Sequence, residues 1–217
     1  RTTLRDLKQA IVEMPVPMRQ LAIAMLFQWY AMFCYWQFVA FAIARSLYHT
    51  ADSGSAGFRQ AVLVNGQIGG FYNFIAFIAA FAMVPIARKM GARPVHAVSV
   101  AASGIAMLAL PYCSSQAMLF IPMIGIGLGW ASMMGNPYII LADSIPPART
   151  GIYMGIFNMF IVIPMMIESL TMPLIYRPLL GGDPRHVLML AGVLMLLAAI
   201  ATLAIRERPA ARAAIPA

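Results

Sequence analysis

Acidic side chains are nearly missing from this sequence: Asp and Glu number 7 in 217 residues, against 15 Lys and Arg. Charge of either sign is scarce, at 10% where a soluble domain carries roughly 25%. That scarcity excludes an ordinary soluble fold, because no interior of this size hides a composition that is 62% apolar. The mean hydropathy of +0.81 says the same. Only two cysteines occur, Cys34 and Cys113, both in or at the end of apolar runs. They match neither a metal spacing nor a disulfide framework and read as small core residues. No nucleophile–base constellation and no cofactor motif is present, so nothing argues for an enzyme, a cofactor or a metal site. Basic–aromatic alternation and nucleic-acid motifs are absent too. The net charge of +8 therefore points to cytoplasmic membrane flanks rather than to nucleic acid.

What is present is apolar sequence in membrane-length pieces. The chain starts at Arg1 and residues 1–20 are polar and charged, with no signal peptide; a start without Met suggests a fragment, a processed product or a trimmed chain. Leu4, Leu7 and Ile11 recur at helical spacing among Arg5, Asp6, Lys8 and Glu13, the pattern of a short amphipathic linker helix on the membrane surface, ended by Pro15 and Pro17. Six apolar spans follow, at about 21–44, 61–87, 94–112, 117–142, 151–176 and 187–205, each near the roughly 20 residues that cross a bilayer. The connectors carry turn chemistry: ADSGSAG, ARKMGARP, CSSQ, DSIPPART and RPLLGGDPR. The expected fold is an all-α integral membrane protein, a six-helix bundle over 21–205 with a tail at 206–217. Eleven basic residues (Arg1, Arg5, Lys8, Arg19, Arg88, Lys89, Arg93, Arg149, Arg206, Arg208, Arg212) fall on one side and four (Arg45, Arg59, Arg177, Arg185) on the other. The positive-inside rule then places both termini in the cytoplasm, with the plasma (inner) membrane as the site.

Polar residues are unevenly shared among the spans. Span one carries Gln28 and Gln37, span two Asn65, Gln67 and Asn73, span four Asn136, and span five Asn158 and Glu168. Spans three and six hold nothing stronger than Ser99, Ser103 and Thr202, and read as lipid-facing supports beside four cavity walls. At ~100° per residue, Asn158, Met165 and Ser169 share one face of span five, as Gly125, Gly129, Ser132 and Asn136 do on span four. An amide in a membrane helix serves either helix packing or cargo contact, and both readings stand. Glu168 is either a coupling or gating group or, near the outer end before Pro173, a carboxylate that reaches interfacial water. Asp143 and Arg88 are further gating candidates; Asp143 also fits a solvated helix end or a partner of Arg149 or Arg88. Gly125-Ile-Gly-Leu-Gly129 is no nucleotide loop, since no strand precedes it. Gly66–Gly70, Gly125–Gly129 and Gly151–Gly155 have the small-xxx-small spacing that permits close helix approach. The aromatics of span one surround its helix, so some face lipid while one or two suit stacking on a sugar ring. His49, His96 and His186 fall in loops or at span ends, which gives no support to a buried histidine relay.

The stretch Gly151-Ile-Tyr-Met-Gly-Ile-Phe-Asn-Met-Phe-Ile-Val-Ile-Pro164 resembles the Gly-x-x-x-Gly-x-x-Asn-x-x-Ile-Val-x-Pro-Gln helix of sugar:cation symporters. Gly127-Leu-Gly-Trp-Ala-Ser132, Pro137-Tyr138 and Leu180-Gly-Gly182 resemble neighbouring parts of that family, and Ala87-Arg-Lys-Met-Gly-Ala-Arg-Pro94 its basic glycine loop. The whole chain is thus similar to the C-terminal six-helix half of a major facilitator superfamily transporter. More narrowly, it resembles the glycoside-pentoside-hexuronide and plant sucrose symporters. Two positions depart from the pattern: Met165 stands where the family has Gln, and Ala87 where the loop commonly has Asp. The resemblance implies a separate N-terminal half holding the proton-coupling acid and much of the cargo site. The expected activity is proton-coupled uptake of a di- or oligosaccharide or glycoside by alternating access. Asn158, Asn136, Asn73, Gln28 and Gln37 are the expected cargo contacts. Gly151, Gly155 and Pro164 are packing and bending elements, the proline freeing a carbonyl one turn earlier. A drug or metabolite exporter and a truncated, non-transporting assembly protein are the alternatives. No filter sequence or acidic cluster suggests a channel.

Overall fold

The computed structural model describes residues 4–206. Arg1, Arg208, Arg212 and all of the expected tail beyond Arg206 lie outside them. The amphipathic pattern forms α1 (Leu4–Val12). The spans form α2 (Val16–Leu47), α3 (Ala56–Met90), α4 (Ala92–Ala109), α5 (Gln116–Met133) with α6 (Asn136–Ala142), α7 (Thr150–Ile175) and α8 (Pro184–Leu203). All six spans are long and apolar enough to cross a membrane. At 32 residues α2 is ~48 Å long, more than a ~30 Å hydrocarbon layer, so it tilts or protrudes.

Helix starts follow local chemistry. Ser55 and Ser115 accept from the backbone N–H of Phe58 (3.1 Å) and Met118 (3.3 Å), capping α3 and α5. Asp183 caps α8 through the Arg185 N–H at 2.9 Å. Pro17 opens α2 in its first turn, besides closing the linker. The expected connector ARKMGARP is a correction: α3 runs through Arg88 and Lys89 to Met90, and Gly91 alone, at φ 89°, makes the turn into α4. A left-handed φ is what glycine supplies without steric cost, and the two cations sit well at the helix C-terminus.

Packing sets span three, expected as a support, deepest in the bundle. The α4 window is 56% buried, the highest of the six, against 17% for α3 and 22% for α7. Small residues are the reason. A Cβ on Gly104 would stand 2.8 Å from the Gly192 carbonyl of α8, and one on Gly125 2.6 Å from the Ala102 carbonyl of α4. Gly129 is closed by Ser103 in the same way, so the expected close approach holds for Gly125–Gly129. Gly66, Gly70, Gly151 and Gly155 have nothing within 4 Å among the described residues. Within these six helices their face is open, and α3 and α7 present it.

Candidate functional site

Two polar clusters interrupt the apolar interior, and α2 contributes to both. The first lies at a break in span four. Between α5 and α6 the helix lapses at Met134 and Gly135, and Pro137, which has no N–H to donate, restarts it. Ser132 and Asn136 flank the break, and Asn136 Nδ2 donates to Ser132 Oγ at 2.7 Å. Ser132 Oγ lies 2.9 Å from His96 Nδ1, and His96 Nε2 lies 2.9 Å from Gln28 Oε1. Donor chemistry orders the chain: Gln28 Oε1 only accepts, so His96 carries its proton on Nε2 and Nδ1 accepts the Ser132 hydroxyl. Gln28, His96 and Ser132 are wholly buried, and Asn136 is 4% exposed. Gln28 Nε2 ends the chain without an acceptor among the described residues, as does the neighbouring Trp29 Nε1.

His96 is the member of this cluster that the sequence reading set aside as lying at a span end; it is wholly buried. It does sit near a span end, four residues into α4, but burial rather than position decides its role. The available signal was the spacing of His96, Ser99 and Ser103, one helical face of a span otherwise made of small and apolar residues.

The second cluster lies between α2 and α7, nearer the opposite end of the bundle. Glu168 is wholly buried, which corrects the expectation that it reaches interfacial water. Its Oε2 accepts from Gln37 Nε2 at 2.8 Å and its Oε1 from Cys34 Sγ at 3.7 Å. One turn away Tyr30 and Thr171 share a hydroxyl–hydroxyl bond of 2.8 Å. Gln37 itself is exposed. It borders an open pocket of about 210 Å³ with Phe38, Ser169, Met172, Pro173 and Tyr176. Pro164 is buried inside α7, where it has no N–H for the Phe160 carbonyl.

The remaining expected residues do not join these clusters. Asn158 is exposed on the open face of α7. Asn73 is exposed on α3 and donates to the Gly69 carbonyl at 2.8 Å. Asp143 is exposed at the end of α6, and Arg88 is exposed near the end of α3. Arg149 pairs not with Asp143 but with Glu13, which ties α1 to the start of α7. Between α2 and α5 stand all three tryptophans: Trp29–Trp36, Trp29–Trp130 and Trp36–Trp130 have ring centroids 6.4, 6.3 and 5.5 Å apart.

Six membrane-length helices enclose these buried polar groups, and one of them is broken at Met134–Gly135, before its short last piece α6. Residues 21–217 match the sequence pattern of the Major Facilitator Superfamily. The chain belongs to the Major Facilitator Superfamily. Members of this superfamily are transporters, not enzymes, and the chain is accordingly a multi-pass membrane protein of transporter type. No curated protein matches it. In superfamily terms, the described residues form one six-helix bundle, with the open glycine face on α3 and α7.

Proposed function

We propose that this chain is the C-terminal half of a proton-coupled secondary transporter. Its cargo is a di- or oligosaccharide or a glycoside, taken up across the plasma membrane by alternating access, with both termini cytoplasmic. Within this half, beside the acid that the resemblance places in the N-terminal half, the observation that supports proton coupling is Glu168, a carboxyl buried at membrane depth and held by an amide and a thiol rather than a cation. Such a group is costly as an anion in lipid, and binding a proton removes the cost. The sugar reading rests on the span-five motif and on the exposed amides Gln37, Asn73 and Asn158, which suit a hydroxyl-rich cargo. An N-terminal six-helix half is the partner that would cover the open face of α3 and α7 and complete the cavity. The bilayer supplies the remaining surroundings.

Proteoliposomes of the complete protein loaded with a pH-sensitive dye provide the test. Adding maltose or sucrose outside should acidify the lumen with the wild type and not with Glu168→Gln. Sugar-independent dye signals, or equal signals from both proteins, would refute the proposal. One feature favours a second reading, export of apolar drugs or metabolites: Met165 lines an apolar groove with Phe33, Val162, Met166, Ser169 and Leu170. In that case hydrophobic cations compete and sugars do not.

A further inference from the structure

We propose that Gln37 is an amide switch that reports the protonation of Glu168 to the pocket. The idea rests on Glu168 being the proton-carrying group, and it adds how the proton reaches the cargo. Gln37 stands with its Nε2 on the buried carboxylate at 2.8 Å, and its residue borders the open pocket of about 210 Å³. An amide has a donor at one end and an acceptor at the other. With Nε2 committed to Glu168, the end left for the pocket is Oε1, an acceptor.

Protonation inverts this arrangement. When side-chain motion at the pocket wall opens Glu168 to it, a hydronium ion gives its proton to Oε2 and leaves as water. Where Oε2 only accepted it now carries an O–H, which finds no acceptor on Gln37 while the amide keeps its N–H toward it. Turning the amide end for end restores the bond, Oε1 accepting from the new O–H, and Nε2 swings to the pocket. The pocket wall changes from acceptor to donor as the buried charge disappears. A cargo hydroxyl bonds in either state, whereas an ether or carbonyl oxygen is held only in the protonated one. Cargo bearing such an oxygen is thereby bound together with the proton.

The surroundings leave the switch free to follow the carboxyl. The titratable groups facing Glu168 both come from α2, the helix packed here: Cys34, which donates to Oε1, and Tyr30, whose hydroxyl is engaged with Thr171. Neither competes for Oε2. On α7 itself the nearest polar side chains are Ser169 and Thr171, and each hydroxyl donates to its own helix, to the Met165 and Ile167 carbonyls at 3.0 and 2.7 Å.

Infrared difference spectroscopy of the complete reconstituted protein, titrated with pH, separates the two layers of the idea. Lowering the pH should produce a carboxylic C=O band that is missing in Glu168→Gln. A side-chain amide C=O band should shift with the same midpoint in the wild type, and be missing from Gln37→Leu. Both Gln37→Leu and the shorter Gln37→Asn are expected to fold, since Gln37 is exposed, and neither should show an amide change tied to the carboxyl. A carboxylic band without the amide shift overturns the switch and leaves Glu168 as the proton carrier. A carboxylic band that is missing, or that does not change with pH, overturns the Glu168 reading itself and the switch with it.

Discussion

At His96 both ring nitrogens are engaged, by Ser132 and by Gln28, so truncation there strands two partners at once. His96→Leu should destabilise the bundle by about 1–3 kcal/mol for each group left unpaired. Gln28→Leu should cost less, because it also removes an amide N–H2 that has no acceptor among the described residues. Melting of the detergent-solubilised variants checks the order; equal melting temperatures would contradict it. The glycines give a second contrast. Gly129→Ala drives a methyl into Ser103 and should cost about 1–3 kcal/mol by overpacking. Gly155→Ala, with open space around it, should stay within about 0.5 kcal/mol of the wild type. Single residues were only half legible in the sequence. Gln28 and Asn136 were found because amides stand out in apolar runs. Their common partner His96 was passed over because hydropathy places it at a span end. Glu168 was found, yet its burial depended on where α2 puts Gln37 and Cys34, which lie more than 130 residues away in sequence.

Among the helices, the six spans were legible because lipid imposes a length on an apolar run, and no tertiary detail alters that. Boundaries were less so. The turn at Gly91 and the break at Met134–Gly135 depend on single backbone angles and on which helices approach closely. The short helix α1 also carries a prediction. Its residue Ala10 is buried, while Leu4, Ile11 and Val12 are exposed. The Glu13–Arg149 pair fastens it to α7. Hydrogen bonds from Gln9 and then Arg149 hold the Glu13 carboxyl below the usual carboxylate range. A lowered value means the attachment is fully present above the ordinary range and fades as the pH falls through the lowered one. A spin label at Leu4→Cys should therefore gain mobility in acid, and in Glu13→Gln at every pH. High salt should act in the same direction, since both side chains are part-exposed. Unchanged mobility in Glu13→Gln would show that other contacts seat α1.

For the molecule as a whole, the open face is the dominant feature. Asn158, Gly151 and Gly155 are exposed along one side of α7, and Gly66 and Gly70 are exposed on α3. The sequence names these residues and the close approach their spacing permits, but spacing does not show from which side a helix is approached. If the face lines a water-filled cavity, Asn158→Cys should react with a charged, membrane-impermeant thiol reagent, while Cys34 and Cys113 stay unreactive in their buried positions. Protection of Asn158→Cys by lipid alone would place that face outside the cavity. The three tryptophans have a bearing on how any of this is watched. Because every indole of this chain is gathered between α2 and α5, this half contains its own optical gauge of that joint once any indoles of the N-terminal half are replaced. If α5 swings away from α2 during a transport cycle, emission colour and intensity should shift on adding cargo, with no label attached. Light absorbed anywhere in the bundle's indoles speaks for one place.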